Sequence, residues 1–130
     1  MFLLYTLYDG AKKMNGQNKS ILIVDDDIEV GSLLSKVFSS ALSCEVVCVS
    51  DGKLGLDMWR VRTFDLIITD LQRRGLDGKA MIDIMREEDP AVKIVVFTGG
   101  IENDVPGAIA VFHKPAKNIL QFAKEVGNFL

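Results

Sequence analysis

The sequence predicts an α/β domain, a doubly wound parallel sheet of five strands, and three observations carry that reading. Short runs such as Ile21-Leu22-Ile23-Val24 are apolar at every position, as strands buried on both faces are. Between such runs, apolar residues recur every three or four positions, which is the stripe of an amphipathic helix. The chain has 130 residues, 48% of them hydrophobic, enough for one domain with a packed core and too many for a disordered chain.

The elements follow in order. Met1 to Tyr8 is almost wholly apolar and precedes the turn pair Asp9-Gly10 and then Lys12-Lys13. It is too short to span a membrane and lacks the basic start and cleavage site of a signal peptide. Residues 1–18 are therefore expected to be an N-terminal extension and residues 19–130 the domain. Ile21 to Val24 opens the sheet. Val30, Leu33, Leu34, Val37, Phe38 and Ala41 form the inward stripe of the first helix. Glu45 to Val49 is a second strand, and Gly52 to Arg62 a helix carrying Leu56 and Trp59. Phe64 to Thr69 is a third strand. Asp77 to Glu88 is a helix with Met81, Ile82 and Met85 inward, stopped by Pro90. Val92 to Phe97 and Ala108 to Phe112 complete the strands. Pro115 stands where a first-turn proline is tolerated, and Ile119, Phe122, Ala123, Val126 and Leu130 line the last helix. Alternating strands and helices imply right-handed crossovers, and five strands suit the flavodoxin-like order 2-1-3-4-5. Gly100 to Pro106 contains Gly, Asn, Asp and Pro, so the helix between the fourth and fifth strands, helix 4 of this fold, is expected to be short or absent.

Composition excludes several functions. Fifteen Lys and Arg against eighteen Asp and Glu give a net charge of −3, so no direct nucleic-acid binding is expected. No run of 18 apolar residues free of charge occurs, so no membrane span is expected. Cys44 and Cys48, on one strand, would lie about 13 Å apart, beyond disulfide reach. A reduced, cytoplasmic setting is the default.

In such sheets ligands gather outside the carboxyl ends of the strands. There the first strand ends in Asp25-Asp26-Asp27, the third in Asp70, the fourth in Thr98-Gly99-Gly100 and the fifth in His113-Lys114-Pro115. If strands one and three are neighbours, Asp25, Asp26 and Asp70 crowd together, and their repulsion needs an offsetting charge. An all-oxygen acidic site suits Mg²⁺. Lys114 adds a positive charge, Thr98 a hydroxyl donor and Gly99 space. These parts match acceptance of a phosphoryl group by a carboxylate, which depends on positioning and charge neutralisation. Singly, each part has a structural explanation. A double Asp after a strand is often a helix cap, the role expected of Asp27. His113, Trp59 and the methionines suit strand-end or packing roles.

In their order and spacing, Ile21-Leu22-Ile23-Val24-Asp25-Asp26, Asp65-Leu66-Ile67-Ile68-Thr69-Asp70, Leu76-Asp77-Gly78, Thr98-Gly99 and Lys114-Pro115 resemble the receiver domain of two-component response regulators, from about Lys19 to Leu130. The resemblance implies that Asp70 accepts a phosphoryl group from a sensor histidine kinase or a histidine phosphotransfer protein. It implies a Mg²⁺ held by Asp26 and Asp70 directly, by Asp25 through water and by the carbonyl of Gln72. Thr98 and Lys114 would hold the phosphoryl oxygens, and the Lys114–Pro115 bond would be cis. It further implies a phosphoprotein switch rather than a turnover enzyme, signalling through contacts with a downstream protein. A homodimer is left open. The chain stops at the last helix, so a stand-alone receiver is expected.

Three departures stand out. Arg73-Arg74 replaces the Met-Pro pair that often follows the acceptor. The segment from Thr98 to Lys114 is about a turn and a half of helix short. The position three before Lys114, usually Tyr or Phe, is Val111, and Phe112 beside it faces the opposite side. Without that aromatic residue, switching is expected to use other elements, the loop Gln72 to Leu76 or the extension. Met1 to Tyr8 is expected to cover apolar surface left by the missing helix. Two other functions are weighed against the receiver. One is a small haloacid-dehalogenase-like phosphatase, with Asp25 as nucleophile and Asp27 as acid–base. The other is a non-switching interaction module that keeps the acidic site as a relic.

Overall fold

The computed structural model describes residues 19–71 and 76–130. Strands β1 (Ser20–Val24), β2 (Glu45–Val49), β3 (Leu66–Thr69), β4 (Ile94–Thr98) and β5 (Ala110–His113) form one sheet, all pairs parallel, in the order β2-β1-β3-β4-β5. Among the described residues four helices connect and follow them: α1 (Ile28–Ala41), α2 (Gly52–Val61), α3 (Gly78–Glu88) and α4 (Ile119–Gly127). This is the expected fold and strand order.

The two-sided burial that marks the strands in sequence is explained by two cores. Leu22 and Val24 of β1, with Ile67, Ile94 and Val96, pack on one face against Leu56, Met58, Met81, Ile82 and Met85 of α2 and α3. Ile21 and Ile23, with Leu66, Ile68, Val95 and Phe97, pack on the other against Leu34 and Phe38 of α1 and Phe122, Ala123 and Val126 of α4. β1 is wholly buried because it has a strand on each side and helices above and below.

Several boundaries move for local reasons. Phe64 and Val92 are buried in the first core but precede their strands: the β1–β3 register begins at Leu66, with Ser20 N–H on the Asp65 carboxylate (2.8 Å), and the β3–β4 register at Ile94. β5 starts at Ala110, two residues late, and extends to His113. The face of α1 is narrower than its apolar content suggests: Gly31, Leu34 and Phe38 are buried, while Leu33 is 51% exposed. Pro115 is not in the first turn of α4. That helix is capped by Asn118, whose side chain accepts from Gln121 N–H, and Pro115 follows the cis bond to Lys114.

The connection 99–109 between β4 and β5 contains no helix. In its place Val105, 2% exposed, plugs the first core. Arg86 of α3 holds the segment by donating to the carbonyl oxygen of Gly107 and, at 2.7 Å, to that of Pro90. Cys44 is buried and Cys48 exposed, and no disulfide joins them. The extension 1–18, with the expected cover by Met1 to Tyr8, lies outside the described residues.

Candidate functional site

Sheet pairing places the two inner carboxylates. Asp25 follows β1 with its N–H on the carbonyl of Val49 (3.0 Å), and Asp70 follows β3 with its N–H on the carbonyl of Val24 (3.2 Å). Both side chains are thereby brought to the carboxyl edge at the centre of the sheet and buried, while Asp26 is exposed. The three carboxylates each offer an oxygen within 4.8 Å of the others.

Lys114 reaches the same point from β5. Its N–H donates to the carbonyl of Thr98 (2.8 Å), and its Nζ lies 2.9 Å from Oδ2 of both Asp25 and Asp70. The other oxygens are also occupied: Oδ1 of Asp25 accepts from Asp27 N–H (2.9 Å) and Oδ1 of Asp70 from Leu71 N–H (2.7 Å). Thr98 is buried beside them, its hydroxyl oxygen accepting from Gly100 N–H (3.0 Å). At Gly99 a Cβ would meet nothing within 4 Å, so space is open next to the threonine.

The electrostatics follow from this crowding. Burial pushes the Asp25 carboxyl above its ordinary range; the Lys114 bond and the Asp27 N–H pull it down without cancelling that effect, and the charge of Asp70 adds to the rise. Burial alone would lower Lys114, but hydrogen bonds to Asp25 and Asp70 and their charges carry it net upward. Two carboxylates thus share one ammonium, and a third, Asp26, offers an oxygen within 4.8 Å of both. A hard divalent cation with oxygen ligands fits this donor set, and exposed Asp26 gives it an open side.

Asp25, Asp26, Asp70, Thr98 and Lys114 are brought together here. Gln72, with Arg73 and Arg74, lies outside the described residues. Asp27 is turned away: its carboxylate caps α1, accepting from the N–H groups of Glu29 and Val30. A role for Asp27 as acid–base partner to Asp25 is therefore not supported. Val111 packs against the first core, and Phe112 on the opposite face meets Phe122 edge-on, with ring centroids 5.1 Å apart. For two residues noted in the sequence, Gly78 and His113, the structure adds a contact that the sequence did not show. Gly78 lets the start of α3 press under the acceptor, since a Cβ there would strike the Asp70 carbonyl oxygen and lie 2.7 Å from Leu71 Cα. His113 donates from Nε2 to the carbonyl oxygen of Glu102 (2.8 Å).

The family model described as response regulator receiver domain matches residues 21–122. Among curated proteins, the chain is 29% identical over 104 residues to sporulation initiation phosphotransferase F of Bacillus subtilis, covering 75% of this chain and 83% of that protein. It is 29% identical over 85 residues to the transcriptional regulatory protein ZraR of Escherichia coli O157:H7, covering 65% of this chain and 19% of that one. The chain spans about a fifth of the length of the first curated relatives it matches. Among solved structures it resembles the chemotaxis response regulator CheY4 of Vibrio cholerae (TM-score 0.78, 23% identity, 88% of this chain and 100% of that one). It also resembles TrrA of Thermotoga maritima, solved in complex with Mg²⁺ and BeF (TM-score 0.78, 22% identity, 86% and 99%).

Proposed function

Because this chain belongs to the family of response regulator receiver domains, we propose that Asp70 is its phosphoacceptor and that Thr98 and Lys114 hold the transferred group. Receivers are signalling switches, and the chain is a phosphoacceptor receiver of two-component signalling. What supports the assignment to Asp70 is its place directly after β3 in the matched domain, with its Oδ2 2.9 Å from Lys114 Nζ and inside the acidic cluster at the sheet's carboxyl edge.

In the proposed transfer a carboxylate oxygen of Asp70 attacks the phosphorus of a phosphohistidine on a kinase or phosphotransfer protein. The P–N bond breaks, and its electron pair stays on the histidine nitrogen. Lys114 leaves its two carboxylates to pair with a phosphoryl oxygen, and the Thr98 hydroxyl turns to donate to another. Leu71 N–H keeps the acceptor oriented. Asp25, Asp26, Asp70 and the carbonyl of Gln72 would hold Mg²⁺, which when bound neutralises charge on the phosphoryl oxygens. Residues 19–130 form the receiver on this reading, cytoplasmic, with protein contact as its output; no described helix is long and apolar enough to cross a membrane.

The test is direct labelling. With a small acyl phosphate and Mg²⁺ the chain gains about 80 Da, the mass of one phosphoryl group. Asp70→Asn is expected to abolish the gain, and Asp25→Asn to slow it. Loss on changing Asp25 alone would support the phosphatase, and no label with any donor the relic module.

A further inference from the structure

The segment that replaces the β4–β5 helix brings the carboxylate of Glu102 against Gly100, on the side that faces the Thr98 hydroxyl. Thr98 and Gly100 are joined by the bond from Gly100 N–H to the threonine hydroxyl (3.0 Å), so Gly100 lies on the rim of the space in which a phosphoryl group would sit. A Cβ on Gly100 would be 3.4 Å from Thr98 Oγ1, and it would run into the carboxylate of Glu102. Glu102 therefore fills the position from which a side chain at 100 would project toward the threonine. Its backbone is fixed independently: Nε2–H of His113, the residue before Lys114, donates to its carbonyl oxygen (2.8 Å). The side chain of Glu102 remains exposed, in reach of solvent water. Gly99, between Thr98 and Gly100, is exposed, and a Cβ there would meet nothing within 4 Å.

Resting on the assignment of Asp70 as phosphoacceptor, we propose that Glu102 accepts the proton of the water that hydrolyses the phosphoryl group, and that His113 is a positioning residue for it. The water oxygen bonds to phosphorus, and the bond from phosphorus to the Asp70 oxygen breaks. The electron pair returns to the Asp70 carboxylate. The water proton passes to Glu102 and then to solvent, and inorganic phosphate leaves. Thr98 and Lys114 hold the other phosphoryl oxygens throughout. A carboxylate placed to take the proton of an attacking water contributes a substantial rate factor, and the helix that would otherwise occupy this connection is replaced here by the loop that carries Glu102. The lifetime of the signal is thus set by the same segment that departs from regular structure.

The experiment labels the full chain with a small acyl phosphate and Mg²⁺, removes the donor and follows loss of the phosphoryl mass. Glu102→Gln is expected to slow the loss at least about ten-fold, with the melting temperature unchanged. Glu102→Asp should retain part of the rate. His113→Phe, which removes the donor to the Glu102 carbonyl, should slow the loss, and His113→Gln, which can still donate, should keep most of it. Loss from Glu102→Gln at the wild-type rate overturns the proposal. So does faster labelling with unchanged loss, which would make Glu102 a repelling charge and nothing more. If wild type takes no label, the assignment of Asp70 itself fails, a result distinct from either.

Discussion

Lys114 holds two buried carboxylates with one ammonium, and substituting each member shows how the site is balanced. In Lys114→Gln, Asp25 and Asp70 face each other with no cation between them, so the metal-free protein should melt lower than wild type, and added Mg²⁺ should restore much of the loss. Asp25→Asn should do the reverse. Burial raises the folded-state pKa of Asp25, so its ionised form is disfavoured by folding, and any stability tied to the group is present at low pH and lost as pH rises through the raised value. Melted in a chelator at neutral pH, Asp25→Asn should therefore be more stable than wild type, and the difference should shrink as the pH is lowered. A difference that grows toward acid would contradict this account of the charge. These residues were legible in the sequence because each ends a strand, and strand ends converge in this fold. The exchange of bonds among them was not, since no local pattern states which oxygen Lys114 will take. Nor could Glu102 be found, because its place depends on a loop path and on a bond from a lone histidine.

At the scale of elements, α3 does more for the site than cover the sheet, and it does so at both of its ends. The first turn of α3 is set under the acceptor: Gly78 N–H donates to the Leu71 carbonyl (2.9 Å), and only the missing Cβ allows that approach. Gly78→Ala meets backbone atoms that cannot swing aside, so it should cost about 1–3 kcal/mol in denaturant unfolding and slow the labelling of Asp70. The C-terminal part of the same helix ties down the helix-free connection through Arg86. Arg86→Met removes its bonds to the carbonyls of Gly107 and Pro90, each of a charged donor, and should destabilise the protein by about 1.5–3 kcal/mol. Amide exchange should rise selectively in residues 99–109. Helix and strand types were legible from periodicity, and the break between β4 and β5 from Gly, Asn, Asp and Pro in the connection. Starts such as Leu66 and Ala110 were not, because apolar residues like Phe64 and Val92 serve the core from outside the ladder. The exposed Leu33 misled for the converse reason: α1 meets the sheet along a narrow line where Gly31 allows close approach.

Across the whole molecule, the two ends of the sheet handle charge differently. At the carboxyl end, acidic groups outnumber the cation among them. At the amino end, Glu45 is 3% exposed and meets Arg62 at 2.6 Å, and the guanidinium also lies over the Phe64 ring, 4.6 Å from its centroid. A charge is matched by a charge there, so removing one partner strands the other in a place water cannot reach. Arg62→Met should thus be destabilising by about 3–5 kcal/mol. The double change Glu45→Leu with Arg62→Met should recover much of that, since two apolar side chains of similar volume need no solvation. The imbalance at the functional end has the opposite consequence, because there stability is gained by adding charge. A cation that binds only the folded chain stabilises it by RT ln(1 + [L]/Kd), about 2.7 kcal/mol when free Mg²⁺ is a hundred-fold over Kd. For a domain of this size that is a rise of roughly 10 °C in melting temperature. Asp26→Asn, which leaves Asp25, Asp70 and Lys114 in place, should abolish most of the rise while changing the metal-free melt little, because Asp26 is exposed. Arg62→Met, though far less stable, should keep the full increment, since its defect lies at the opposite end of every strand. A melting series in Mg²⁺ across the three proteins therefore separates the acidic site from the general stability of the fold, and an increment that survives in Asp26→Asn would place the ion elsewhere.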